Sequence, residues 1–224
     1  MRVLLINPNT NAATTEAMAG IARDSDPRAR VDGATVRTGA PLLVDEALLA
    51  QGAAAVVDLT RATDFTGYDG AIVAAFGDPG LAAARTLCPV PMAGIAEAGM
   101  GEAAAGGRRF SVVTTTPLLV AAIERRVEEY GLGANFAGVR LAQGEVGALM
   151  ADPAALEAAL AAACEAAIAK DGARAIVIGG GPLARAARAL APRFGVPIVE
   201  PIPAAMRLLR VRIEAGGGAR AGAG

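Results

Sequence analysis

A chain of 224 residues is long enough for one globular domain or two intimate lobes with a substantial core. Its 21 basic and 22 acidic side chains nearly balance, and no basic stripe carries interleaved aromatics, so nucleic acid is excluded as an expected partner. Alanine inflates the 54% hydrophobic fraction, and no uninterrupted apolar run reaches the ~18 residues of a spanning helix, so no membrane partner is expected.

In chain order, Val3-Leu-Leu-Ile6 is a short buried-strand candidate closed by Asn7-Pro8-Asn9-Thr10. It is too short for the apolar core of a signal peptide, and a cytoplasmic protein is the expectation. A helix follows over about Thr14 to Arg23, with Thr14 as N-cap. Ala34 to Thr38 reads as a weaker strand and Val44 to Leu59 as mostly helix. Tyr68-Asp69 leads into the strand Ile72-Val73-Ala74, Leu81 to Leu87 returns to helix, and Val90 to Ile95 to strand. Strands alternating with helices predict an α/β protein with parallel sheets.

The second half repeats the plan. Arg109-Phe-Ser-Val-Val-Thr114 opens onto Thr115-Thr116-Pro117 as Arg2 to Ile6 opens onto Asn7, and a helix from Pro117 to Tyr130 stops at Gly131. Asp152-Pro153 starts a helix that Asp171-Gly172 closes. Ile176 to Ile178 and Val196 to Val199 complete the strands. Gly70–Leu81 and Ala175–Leu183 are the same unit twice: an apolar run, a glycine-proline cluster, then a stretch of helical character.

This repetition predicts two pseudo-symmetric lobes, each a short parallel sheet flanked by helices. The first comprises residues 1–97 plus about 200–214 and the second 98–199, with a disordered tail over 215–224. Parallel sheets bind ligands beyond the carboxyl ends of their strands. The loops after Ile6, Ala74, Val113 and Gly179 are therefore expected to line an inter-lobe cleft, where glycine permits close approach of backbone amides to a ligand. Close strand-to-helix packing is the other use of such glycines.

The inventory of reactive groups is short. There is no histidine, which excludes Ser-His-Asp and Cys-His arrangements, and Lys170 is the single lysine, at an apparent helix end. The two cysteines form no Cys-x-x-Cys, so neither zinc nor another metal is expected. Cys164 shares a helical stripe with Leu156, Leu160 and Ile168 and reads as core. Cys88 falls at the end of its lobe remote from the cleft.

Several landmarks together resemble the aspartate/glutamate/hydantoin racemase superfamily, most closely its hydantoin and allantoin racemase branch. They are Leu5-Ile-Asn-Pro-Asn-Thr10, Tyr68-Asp69, Phe76-Gly-Asp-Pro-Gly-Leu81, Gly94-Ile-Ala-Glu-Ala98, Arg109-Phe-Ser-Val-Val-Thr114, Asp171-Gly172 and Ile176-Val-Ile-Gly179. The resemblance implies a cofactor-independent protein with a small-molecule site between two lobes. Its usual chemistry uses one cysteine from each lobe, a thiolate removing a proton beside a carbonyl and the opposite thiol returning one.

The chain departs from that pattern at both thiol positions. Ala75 stands immediately before Phe-Gly-Asp-Pro-Gly, and Gly180 follows Ile-Val-Ile-Gly. What the resemblance leaves is a pocket for a small carbonyl or carboxylate ligand, formed by Asn9, Thr10, Ala75, Phe76, Gly77, Thr114, Thr115, Thr116, Gly180 and Gly181, whose backbone donors would stabilise an enolate. Asp78 and Glu97 are the candidate replacement bases, although Asp78 also reads as a turn residue capping the following helix. The functional expectation is an isomerase-like or lyase-like member of the family working without the two-cysteine proton transfer. The alternatives are a non-catalytic ligand-binding pseudoenzyme and a racemase inactivated by replacement of both cysteines. A homo-oligomer is compatible with all three.

Overall fold

Val3-Leu-Leu-Ile6 keeps no polar face because all four side chains are buried, as a strand covered by helices on both sides requires. The computed structural model of the chain describes residues 1–180 and 183–221, with side chains to residue 216. The opening segment is β1 (Arg2–Asn7), which pairs in parallel with β2 (Arg30–Thr35) on one side and β3 (Gly70–Val73) on the other. β4 (Met92–Gly94) extends the sheet beyond β3. Register places Val3 opposite both Val31 and Gly70, and Ile6 opposite Ala34 and Val73, so the strands end together at one edge. Helices α1 (Ala12–Ser25), α2 (Glu46–Ala62) and α3 (Leu81–Leu87) make the crossovers.

After α4 (Ile95–Ala104) the arrangement is built again. β5 (Phe110–Thr114) lies between β6 (Phe136–Leu141) and β7 (Ala175–Ile178), with β8 (Ile198–Val199) outside β7 and every pairing parallel. The second set of helices is α5 (Val120–Glu129), α6 (Val146–Ala151), α7 (Pro153–Asp171) and α8 (Ala184–Leu190), and α9 (Pro201–Ala221) ends the described chain. The spatial orders β2-β1-β3-β4 and β6-β5-β7-β8 are one topology used twice. The α/β fold expected from the repeat is present: two parallel four-stranded sheets flanked by helices.

The lobes exchange a helix. α4 leaves β4 of the first sheet and packs on β5, β7 and β8 of the second, whereas α9 leaves β8 and packs on β3 and β4 of the first. The two helices also pack on each other, and one apolar cluster runs from Val3, Leu5 and Ile72 through Ala96, Met100 and Ala205 to Phe110, Val112 and Val177. Gly99 permits this approach, since a Cβ there would stand 3.1 Å from Val177 Cγ1 and 3.4 Å from the Pro201 backbone.

Element boundaries depart from the sequence expectations for local reasons. The N-cap of α1 is Asn11, whose side chain accepts the Thr14 amide at 3.1 Å, so Thr14 sits inside the first turn. β2 starts four residues before the expected Ala34, at Arg30. β6 and α4 are not legible in the sequence. Gly138 at φ +126° and a register shift interrupt the alternation of β6, and two glycines weaken the helical signal of α4. The α7 caps are as read, with Asp152 accepting the Ala154 and Ala155 amides and Gly172 left-handed at φ 67°. α9 continues as helix through residues 215–221, where a disordered tail was expected, and 222–224 lie outside the described residues. Among the described residues no helix is long and apolar enough to cross a membrane.

Candidate functional site

In each sheet the chain leaves its first strand on one side and crosses to the other, so a switch point falls between β1 and β3 and another between β5 and β7. Loops at a switch point diverge and leave a crevice. The four loops here meet in a cleft of about 690 Å³, counted to its open mouth. Asn9 follows β1, Ala74, Ala75 and Phe76 follow β3, Thr114 ends β5 with Thr115 and Thr116 after it, and Gly179 and Gly180 follow β7.

The loop after β1 is an ordered asparagine turn. Asn7 is fully buried, its Nδ2 donating to Asn9 Oδ1 at 2.8 Å and to Thr15 Oγ1 at 2.9 Å, and its Oδ1 accepting the Asn9 amide at 3.1 Å. Asn9 Oδ1 also accepts the Asn11 amide at 3.0 Å. Its oxygen is thereby committed, whereas its Nδ2 has no hydrogen bond among the described residues and remains a donor at the cleft wall. Thr10 turns away, its amide bonded to Ala40 O, and does not line the cleft.

Opposite, Thr114 and Thr116 join hydroxyls at 3.1 Å. Thr115 is 3% exposed, and its hydroxyl has no hydrogen-bond partner among the described residues. The amides of Ala75, Phe76, Thr115 and Thr116 also make no hydrogen bond among the described residues, so both lobes bring unused donors to the same space. The Phe76 ring closes the floor, approaching Gly179 so closely that a Cβ there would stand 2.8 Å from it.

The remaining walls are apolar: Met18, Leu42, Leu43, Leu49, Ile123 and Met150 among them. Sequence reading missed these residues because their role depends on which helix ends face the switch points. None of the described residues lining the cleft carries a titratable side chain.

The two expected bases stand elsewhere. Asp78 is 1% exposed and absent from the cleft lining; its carboxylate accepts the Ala96 amide at 2.9 Å, the Glu97 amide at 2.7 Å and the Tyr130 hydroxyl at 2.7 Å. It therefore holds the N-terminus of α4, not that of the following helix α3. Burial pushes its carboxyl up to about 6 against the pull of these hydrogen bonds. Glu97 faces a groove beside α9, where it pairs with Arg85 at 2.5 Å and Arg212 at 2.8 Å. Burial raises its carboxyl, but the two guanidinium groups more than offset this and hold it below the ordinary glutamate value.

Of the other expected residues, Gly77 lines a separate groove between α2 and α5, and Gly181 lies outside the described residues. The thiols are also remote. Cys164 is fully buried in the core of α7, where burial pushes it up to about 12, and Cys88 caps the end of α3, raised by burial as well.

Fold and cleft together define a two-lobed α/β protein with an open cleft between duplicated switch points. The profile of the Asp/Glu/Hydantoin racemase family matches residues 3–209, and the chain belongs to that family. It is 34% identical to a hydantoin racemase of Rhizobium meliloti over 96% of this chain and 90% of that one. It also resembles the solved allantoin racemase of Pseudomonas fluorescens, with TM-score 0.90, 34% identity, and 96% of this chain and 92% of that one covered. The allantoin racemase of Klebsiella pneumoniae is similar in structure too, with TM-score 0.90 and 33% identity, covering 96% of this chain and 89% of that one.

Proposed function

We propose that this chain is a cofactor-independent member of its family that, with no cysteine at the cleft, takes a small carbonyl or carboxylate compound into it and stabilises the corresponding enolate there. The observation that carries this reading is the convergence of unused donors from both lobes, the amides of Ala75, Phe76, Thr115 and Thr116 with the Thr115 hydroxyl and Asn9 Nδ2, on a mostly apolar cleft. Such donors gain strength where water is displaced, and they act on charge as it develops on oxygen.

The absence of a titratable group among the described lining residues selects between enolate reactions. Racemisation begins with removal of a carbon-bound proton and needs a base beside it. Loss of carbon dioxide from a carboxylate next to a carbonyl or second carboxyl group does not: the C–C bonding pair passes directly into the enolate, and water then returns a proton to carbon. Apolar walls favour this direction by desolvating the carboxylate that is lost. A lyase-like reaction therefore fits the cleft better than an isomerase-like one.

The same absence also supports the second reading, a pseudoenzyme that binds such compounds without turnover. Incubation in D₂O with hydantoins, allantoin, amino acids and arylmalonates, followed by NMR and chiral chromatography, separates the two. Solvent deuterium at the α-carbon of a converted product establishes catalysis. Binding by calorimetry without conversion establishes the pseudoenzyme, and neither binding nor conversion across the panel refutes the cleft reading.

A further inference from the structure

Asp78 is the only described non-glycine residue with a positive φ, at 47°, and it is buried. It belongs to the loop that carries Ala75 and Phe76 to the cleft, with its own amide bonded to Ala75 O at 3.0 Å. Its carboxylate is held in two directions, by the first amides of α4 and, across the lobes, by the hydroxyl of Tyr130 at the end of α5. The neighbouring residue is tied the same way, since Arg126 Nε of α5 donates to Gly77 O at 2.9 Å. Gly94 is shaped to this contact, because a Cβ there would collide with the Asp78 carboxylate.

We infer that Asp78 and Tyr130, seconded by Arg126 on Gly77, form an inter-lobe latch that fixes the cleft loop Ala74–Gly77 against the second lobe. Two hydrogen bonds from α5 grip consecutive residues of one loop, and the Phe76 ring lies against Gly179 of the same lobe. Opening the cleft at this loop requires both bonds to break and leaves a buried carboxylate with one partner fewer. Asp78 thus acts as a positioning residue, not as a base. The inference rests on the reading of the cleft as the ligand site only for its consequence on binding; the latch itself is tested without ligand.

The test is amide hydrogen exchange on the full chain, comparing the protein with Tyr130→Phe, which keeps the ring and removes the hydroxyl. Exchange about ten-fold faster or more is expected at the amides of Asp78 and Leu81, which bond to Ala75 O and Asp78 O within this loop, with β1 and β5 unchanged. Arg126→Gln removes the other tie and is expected to loosen the same segment, so it decides the matter if Tyr130→Phe fails to fold. Unchanged exchange in the folded variants overturns the latch, as does a uniform rise through β1 and β5, which reports only lost global stability.

A spectroscopic readout checks the pairing directly. The chain has no tryptophan and two tyrosines, so in a Tyr68→Phe background Tyr130 is the remaining emitter. Its emission, quenched by a carboxylate acceptor, is expected to rise on acidification as Asp78 takes up a proton, and to lose that transition in Asp78→Asn. The charged groups nearby are Glu97 on α4 and Arg126 on α5; a transition that persists in Asp78→Asn belongs to another carboxylate, such as Glu97, and overturns the pairing. Calorimetry with phenylmalonate as probe then separates the two readings. Weaker binding by Tyr130→Phe than by the parent ties the latch to the cleft. A parent that binds neither phenylmalonate nor any compound of the panel counts against the cleft, while the exchange data still decide the latch.

Discussion

Gly180 has φ +146°, where a side chain is strained, and a Cβ added there would stand 3.1 Å from Leu183. This loop has taken up a conformation suited to glycine, and Leu183 occupies the adjoining wall of the cleft. Replacing Gly180 with valine is therefore expected to abolish ligand binding while the chain stays folded, which calorimetry and circular dichroism together would check. The geometry also predicts that Ala75→Cys combined with Gly180→Cys does not by itself restore racemisation, because the second thiol would enter a strained and occupied position. Appearance of racemase activity in that double variant would contradict this.

Asp78 makes a second prediction at the same scale. Its folded-state carboxyl sits at about 6, above its ordinary 3.8, so the native state binds the proton more tightly than the unfolded chain does. The stabilisation from this group is full below about pH 4 and is lost as pH rises to about 6. The difference is about 3 kcal/mol at most, from roughly two pK units at ~1.4 kcal/mol each. Urea unfolding between pH 4 and 7 is expected to show this decline in the parent and not in Asp78→Asn. The thiols offer a contrast: Cys164 is expected to resist alkylation until the chain unfolds, given its burial and its raised pKa.

At the scale of elements, α7 shows which sequence signals can be trusted. Its start needs an acceptor for free amides, which Asp152 supplies, and its end needs a left-handed residue, which Gly172 supplies. Asp152→Ala is expected to cost about 1 kcal/mol of stability by denaturant unfolding. Leu160→Ala, deep under the same helix at 0% exposure, is expected to cost about 2–5 kcal/mol. Caps and stripes of this kind were legible because they act over one helical turn. α4 was not, since Gly94 at its N-cap answers to Asp78 and Gly99 within it to Val177 and Pro201, and β6 was masked by the break at Gly138.

For the whole molecule, the exchange of α4 and α9 between sheets decides how stability is shared. Each lobe's sheet is covered by a helix that follows the other lobe's last strand, so neither half of the chain carries a complete set of layers. A chain ending before Pro201 leaves the faces of β3 and β4 that α9 covers open to water, and is expected to be insoluble or unfolded on expression. A chain ending after residue 214 is expected to retain the parent's melting temperature within a few degrees. The arrangement also implies that the lobes unfold together, which coincident transitions by near- and far-UV circular dichroism would check.

The sequence by itself determined the parallel α/β class, the duplication and four of the cleft's loops, because each rests on a local pattern: an apolar run, a cap, or a glycine turn at a strand end. It also carried the family resemblance and the absence of thiols at Ala75 and Gly180. Only the tertiary structure decided what Asp78 and Glu97 touch. A carboxylate next to a cleft loop in sequence can point into the cleft or behind it, and here the free amides of α4 and the arginines of α3 and α9 draw both groups behind it. Partners that lie far along the chain leave no local mark, so the replacement of candidate bases by a latch and an ion-paired groove could be read only from the folded chain.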